Sequence, residues 1–263
     1  VVPIAIVDVV KQAVISAYPT AQLEEVADHN IFSPVGRLAG TMGGELTLKE
    51  DYAYPIATYQ EIKRDAMQSI LNALSTLEKE DGAGIQILLR PANPSWRKNA
   101  LSVAGKKRKG TKDKKGIDNL FWWGRQLAVA VSKPPEDKSG SGGDEKKDIS
   151  SIDQAVADAI EDKTRQPGYE VLIRVVASSN ISQRAQVILN NVVAAFSLYD
   201  APGKNGFKYT VSKDIDSFVT AFILRFFPQE SNRNILNSVE LATLFHFPDQ
   251  KNIPTSQLGR QAS

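Results

Sequence analysis

The sequence predicts an α+β fold with helices packed on mixed or antiparallel sheets, and three observations carry that prediction. Stretches with apolar residues at helical spacing alternate with short apolar or alternating runs of strand character, and proline or glycine punctuates the joins. The 263 residues are 42% hydrophobic and 24% charged, the composition of a globular chain able to bury a real core. A helix, strand, loop, helix unit occurs twice, which points to two related sub-domains.

The elements follow in order. Ile4 to Ala17 has helical spacing and stops at Pro19. Gln22–Ala27 and Glu45–Lys49 alternate as half-buried strands do, with Gly43-Gly44 as the turn before the second. Ile62, Met67, Ile70, Leu71, Leu74 and Leu77 trace one face of a long helix. Gly84–Arg90 is a buried strand closed by Pro91. Ile149–Lys163 reads as a helix opened by a Ser150-Ser151 cap, and Pro167-Gly168 leads into the strand Tyr169–Val176. Ile181, Ala185, Ile188, Val192, Phe196 and Tyr199 form a further helical stripe, followed by a strand over Phe207–Val211. A helix carrying Ile215, Val219, Phe222 and Phe226 then ends at Pro228.

The repeat rests on Gly84–Arg90 and Gly168–Arg174, which align without gaps at an offset of 168 − 84 = 84 residues. After a three-residue slip, Ser95-Trp96-Arg97 aligns on Ser182-Gln183-Arg184, where the next helix is due. Units of this size form ferredoxin-like, split β-α-β layers. The expected organisation is a first α+β sub-domain over 1–104, a charged insertion over 105–148 and a second sub-domain over 149–250. A linker over 251–263 is expected to lead toward a missing C-terminal domain. Both apolar strands are expected to lie centrally in their sheets. The insertion is too polar to bury much surface, except for a docked helix near 117–131 carrying Leu120, Phe121, Trp122, Trp123, Leu127 and Val131.

Composition also narrows the chemistry. There are no cysteines, which removes disulfides, thiolate zinc sites and cysteine nucleophiles and fits a reducing compartment. A net charge of +2 is too small to bring nucleic acid or an acidic membrane to the whole surface, so such a partner needs a local cluster. The run Val1–Val7 breaks at Asp8, far short of the roughly 20 residues of a membrane span. The first residue is Val1, and the expectation is a segment of a longer protein.

The search for an active site yields none. Gly105-Lys106-Lys107-Arg108-Lys109-Gly110-Thr111-Lys112 imitates a phosphate-binding loop, but the order of Thr111 and Lys112 is reversed and no strand precedes it. The two histidines, His29 and His246, have no second metal-type ligand at a recognised spacing, and Asp28-His29 lacks identifiable triad partners. Asp51, Glu80 and Asp81 read as turn carboxylates rather than as a catalytic pair. No enzyme, metal or cofactor is therefore expected. The candidate nucleic-acid contacts are Lys106, Lys107, Arg108, Lys109, Lys112, Lys114 and Lys115, with Trp96, Phe121, Trp122 and Trp123 as stacking surfaces. The plainer account, lysines that keep a loop soluble and aromatics that pack in the core, weighs more.

Several blocks resemble a known family. Gly43–Lys49, Ala83–Pro91, Ser95–Lys98, Pro202–Phe207 and above all Glu240-Leu241-Ala242-Thr243-Leu244-Phe245-His246-Phe247-Pro248 are similar to the region ahead of the motor in bacterial type IV secretion and conjugative DNA-transfer ATPases. The versions concerned are uncharacterised domains from small-genome bacteria. The resemblance spans most of the chain outside the charged insertions. It implies a non-catalytic accessory or assembly domain that precedes a hexameric ATPase, with other subunits of the machine as partners and a homo-oligomer in the full-length protein. It implies a place in the cytoplasm or on the cytoplasmic side of the inner membrane, with membrane contact only through segments outside this chain. Neither Walker motif is present, so no catalytic residue is carried over. A free-standing single-stranded nucleic-acid-binding module is the alternative, and DNA contact through the basic cluster is compatible with both.

Overall fold

The computed structural model describes residues 2–24, 31–32, 40–62, 65–109, 151–201, 203–229 and 234–247. Two compact units are distinguished, Val1–Asn30 and Ile31–Ser263. The first holds α1 (Val7–Ala17) behind a 3-10 turn at Ile4–Ile6, as the spacing predicts, and none of its helical residues is buried. Gln22–Glu24, expected to open a strand, form none, and residues 25–27 lie outside the described set.

The second unit carries β1 (Thr41–Leu48), α2 (Ala66–Leu74), β2 (Gly82–Pro91), α3 (Ser95–Arg108), α4 (Ser151–Thr164), β3 (Gly168–Ser178), α5 (Ser182–Ala195), β4 (Phe207–Val211), α6 (Ile215–Ile223), β5 (Ile235–Asn237) and α7 (Ser238–Leu244). The five strands form one antiparallel sheet in the order β2-β3-β1-β4, with β5 also on β3. The fold is α+β, but strands from 1–104 and 149–250 share this sheet, so the expected sub-domains do not have separate sheets. β3 is the reason. It is buried along nearly its whole length, and it gives one edge to β2 and the other to β1 and β5 in line. Asn234 joins those last two, since its amide donates to Leu46 O (3.2 Å) and accepts from Leu48 N (2.8 Å). β3 is central as expected, whereas β2 lies at the edge and is half-exposed.

One face of the sheet carries the main core. Leu46, Leu48, Val171, Ile173 and Val175 meet Ile70 of α2 and Ile188, Leu189 and Val192 of α5. Burial of each such side chain contributes about 1.5–3 kcal/mol relative to exposure. Phe196 and Tyr199, on a 3-10 turn that follows α5, pack edge-on against Phe207 with ring centroids 6.0 and 5.8 Å away. The opposite face is covered in part by α6, whose Phe218 and Val219 lie on Val176. Gly43 and Gly44 are inside β1 rather than in a turn before it. A Cβ on Gly43 would strike the Phe218 ring, and one on Gly44 would stand 2.8 Å from Tyr209 Oη, so close approach selects glycine here.

α2 is shorter than its apolar stripe. Asp65 caps it by accepting from Met67 N (2.9 Å), and the Ser75 and Thr76 hydroxyls turn back onto the carbonyls of Asn72 and Ala73 at the other end. α6 stops before Phe226 because Arg225 takes a left-handed conformation (φ 52°). Phe226 N then donates to Ala221 O (2.9 Å) and Arg225 N to Phe222 O (3.1 Å), a Schellman closure.

The repeated order is present as α2-β2-α3 and α4-β3-α5, and α3 and α5 do start at Ser95 and Ser182. β2 and β3 pair with each other, and the pair Leu88–Leu172 joins positions that the 84-residue offset equates. The packing of the two units differs. α5 lies on the sheet, whereas α3 packs on α4 through Trp96, Ala100 and Ala104 against Ala157 and Ile160. Gly168 admits the Trp96 indole, since a Cβ there would lie 2.6 Å from Trp96 Nε1.

Candidate functional site

The sheet face that α6 leaves uncovered holds a groove. Strand alternation sends Leu46 and Leu48 into the main core and Glu45, Thr47 and Lys49 to the opposite face. Lys208 and Thr210 of β4 lie beside them. With Asp51 and Phe218 they line a groove of about 670 Å³. Glu50 and Asp51, which also line it, are held by the buried Asn205. The Asn205 amide donates to Asp51 O (3.0 Å) and accepts from Glu50 N (2.9 Å) and Gly206 N (2.9 Å). The Lys49 ammonium pairs with Asp200, and Glu45 lies 3.5 Å from the Arg174 guanidinium.

Arg174 supports the floor from beneath α6. It donates to Gln86 Oε1 (3.2 Å) and Ala221 O (3.1 Å), while Gln86 Nε2 donates to Phe222 O (2.8 Å). Two sheet residues thus satisfy carbonyls at the end of α6. Burial lowers the Arg174 pKa from its ordinary value, and Glu45 offsets part of that effect.

The outer edge of β4 borders the groove. Ser212 N donates to Gly43 O (2.9 Å) and Lys49 N to Gly206 O (2.8 Å), which fixes the even-numbered residues 206–212 as those bonded to β1. Phe207, Tyr209 and Val211 therefore direct their backbone groups outward. Asp200 accepts from Phe207 N (3.2 Å), and among the described residues no second strand lies on the outward edge at Tyr209 and Val211. Val211 is 57% exposed.

The basic cluster is divided by the fold. Lys106, Lys107 and Arg108 form the last turn of α3, with Lys109 as its cap, so the helix extends into the region expected as an insertion. Arg108 reaches α4, where Asp158 (2.7 Å) and Glu161 (2.9 Å) bind it and raise its pKa. Lys106 and Lys109 are exposed and Lys107 is half-buried. Lys112, Lys114 and Lys115 lie outside the described residues, as do His29, Phe121, Trp122, Trp123, the helix expected near 117–131 and the linker over 251–263. Trp96 is a core residue.

The candidate carboxylates and the other histidine are placed by ordinary structure. Asp51 Oδ1 accepts from Ala53 N (2.8 Å), and Glu80 is exposed. Asp81 accepts from Arg184 Nε (3.0 Å) and Glu78 N (3.0 Å). Burial alone would push the Asp81 carboxyl up, but bonds from Glu78, Ser179 and Arg184 outweigh it and hold the pKa below the usual value. His246 Nε2 lies 3.0 Å from Asp65 Oδ1, the cap of α2. Among the described residues no three side chains of metal-ligating type come together, and no helix is long and apolar enough to cross a membrane.

Sequence reasoning missed the most buried charges. Lys163 and Glu240 are 0% and 1% exposed and form an ion pair of 3.1 Å. Lys163 Nζ also donates to Ile235 O (2.9 Å), and Glu240 accepts from Ile56 N (2.9 Å) and Asn237 N (2.7 Å). Burial lowers the Lys163 pKa from its ordinary value, against the pull of Glu240. Asn237 and Glu240 form the capping box of α7, so Asn-x-x-Glu was the available signal.

A family model described as a domain of unknown function (DUF8128) matches residues 7–258. No curated protein and no solved structure matches the chain.

Proposed function

We propose that this chain, which belongs to the DUF8128 family, is a non-catalytic assembly domain that takes an extended polypeptide along β4. The observation that carries this reading is the outward edge at Tyr209 and Val211, which no second strand covers among the described residues, beside the 670 Å³ groove. An added strand gains main-chain hydrogen bonds from such an edge, and its alternate side chains reach the groove rim for selectivity. Lys208 and Thr210 stand at that rim. The partner class is the one that the residue blocks imply, subunits of a DNA-transfer machine built around a type IV secretion or conjugative ATPase, with the chain in the cytoplasm or at the cytoplasmic side of the inner membrane.

The test uses a displayed library of random peptides selected on the full chain. Selected peptides should lose at least about tenfold in affinity for Val211→Pro, which removes an outward N–H without touching the bonds to β1. They should also protect the Tyr209 and Val211 amides from exchange. Equal binding to the variant, or failure to select any peptide, refutes the reading.

A contact with single-stranded DNA is the second reading, favoured by the exposed Lys98, Lys106 and Lys109 on α3. Each phosphate contact contributes roughly −0.7 to the slope of log affinity against log salt. Lys106→Ser with Lys109→Ser should flatten that slope in fluorescence anisotropy. An unchanged slope refutes a role for these lysines.

A further inference from the structure

The composition of β2 and its place in the sheet disagree. Gly84-Ile85-Gln86-Ile87-Leu88-Leu89 has the nearly continuous apolar character of a strand with neighbours on both sides. Yet among the described residues β2 pairs with β3 alone.

The register shows what the free edge offers. Ala92 N donates to Gly168 O (3.0 Å), so the even-numbered residues of β2 carry the bonds to β3. Ala83, Ile85, Ile87 and Leu89 therefore direct both N–H and C=O outward. Edges that remain single are commonly blunted by lysine, proline or a bulge. The β2–β3 register is continuous from Gly82 to Pro91, and Pro91 is the final residue of β2, so none of these devices interrupts residues 83–89. Leu89 is 53% exposed on this strand.

We propose that this edge pairs with the same edge of a second copy of the chain, antiparallel about a two-fold axis at Gln86. That register sets Ala83 opposite Leu89 and Ile85 opposite Ile87, since 83 + 89 = 85 + 87. All four outward residues then find partners, and two bonds per hydrogen-bonded pair give about eight across the axis. On the core-facing side Ile85 meets Ile87 and Ala83 meets Leu89. On the other side Leu88 falls opposite Gly84, over which Ile31 and Phe222 of the same chain pack, and Gln86 meets its own copy. Arg90 falls opposite Gly82, so no like charges oppose. Pairing β2 with β4 of another copy serves the edge less well. β4 has only Phe207, Tyr209 and Val211 facing outward, and the Phe207 N–H is already taken by Asp200. Self-pairing also closes, whereas a β2-to-β4 contact propagates.

The experiment is sedimentation equilibrium of the full chain with site-resolved amide exchange, on the wild type and on Leu89→Pro and Ala83→Pro, each of which removes one outward N–H. The wild type should be a dimer at micromolar concentration, with Ile85 and Ile87 amides whose protection grows with concentration. Either variant should weaken the dimer at least about tenfold and expose those amides, while exchange at Ile173 and Val175 stays slow as a measure of the intact sheet. A wild-type monomer with fast exchange at Ile85 and Ile87 overturns the proposal. So does a dimer insensitive to both variants, which places the interface elsewhere. Protection of Ile85 and Ile87 in a monomer, independent of concentration, also overturns it and assigns the edge to another segment of the same chain.

Discussion

Replacing Lys163 with methionine removes the cation from the driest ion pair described in the molecule. Both side chains are almost fully buried, so water cannot take over the role of the lost partner. Breaking such a pair from one side costs about 3–5 kcal/mol, because the surviving charge has no counter-ion. The Glu240 carboxylate would keep its bonds from Ile56 N and Asn237 N, which places Lys163→Met near the lower end, about 3 kcal/mol. Glu240→Gln is expected to cost at least as much, about 3–4 kcal/mol, since its amide N–H₂ must face a backbone N–H and Lys163 loses its counter-charge. The double variant should cost about 2 kcal/mol less than the sum of the singles. At 2–4 °C per kcal/mol for a domain of this size, Lys163→Met should lower Tm by about 6–12 °C. Urea unfolding of the full chain at neutral pH reads the free energies, and thermal unfolding reads the Tm shift. A loss under about 1 kcal/mol for Lys163→Met, or strict additivity in the double variant, would show that the pair does not act as a coupled buried charge.

Two further outcomes rest on single positions. The Asp81 pKa is lowered in the folded chain, so the folded state binds this proton less readily than the unfolded state does. Its stabilisation is present at neutral pH and lost as pH falls through the ordinary carboxylate range, below about 4. Asp81→Asn should therefore be less stable than wild type at neutral pH, with the gap narrowing below that point, and a gap independent of pH from 7 to 3 would contradict the assignment. Arg225→Gly should raise stability by about 0.5–1 kcal/mol in urea, because glycine takes the left-handed conformation at φ 52° without steric cost. A loss of stability would mean that contacts of the Arg225 side chain outweigh its backbone strain.

Much of the architecture was legible along the chain because a strand or helix declares its buried face through spacing. The strand over Phe207–Val211 was read with its observed bounds, and the helix starts at Ser95 and Ser182 followed from the repeat. Helix ends were less legible. Arg225 stops α6 from a residue type that carries no stop signal, and Ser75 and Thr76 end α2 inside an apolar stripe. Gly43-Gly44 looked like a turn, since a glycine selected by an overlying phenylalanine has the same letter as one selected by φ.

Placement between elements was decided only in three dimensions. An apolar strand demands cover on its two faces, but its side chains say little about its two edges, where backbone groups of any residue type do the pairing. That is why β3 and β2, nearly interchangeable in sequence, occupy the centre and the edge of one sheet. The candidate groove arises because α6 is too short to cover β1 and β4, a fact of relative position that no single segment carries. Arg108 was grouped with its basic neighbours until α4 brought Asp158 and Glu161 against it. Nothing in the sequence around Lys163 or Glu240 singles either out as a buried charge. Their burial is tolerable only because chain segments distant in sequence supply the counter-charge and the backbone partners together, so the physical reason lies in the assembled site.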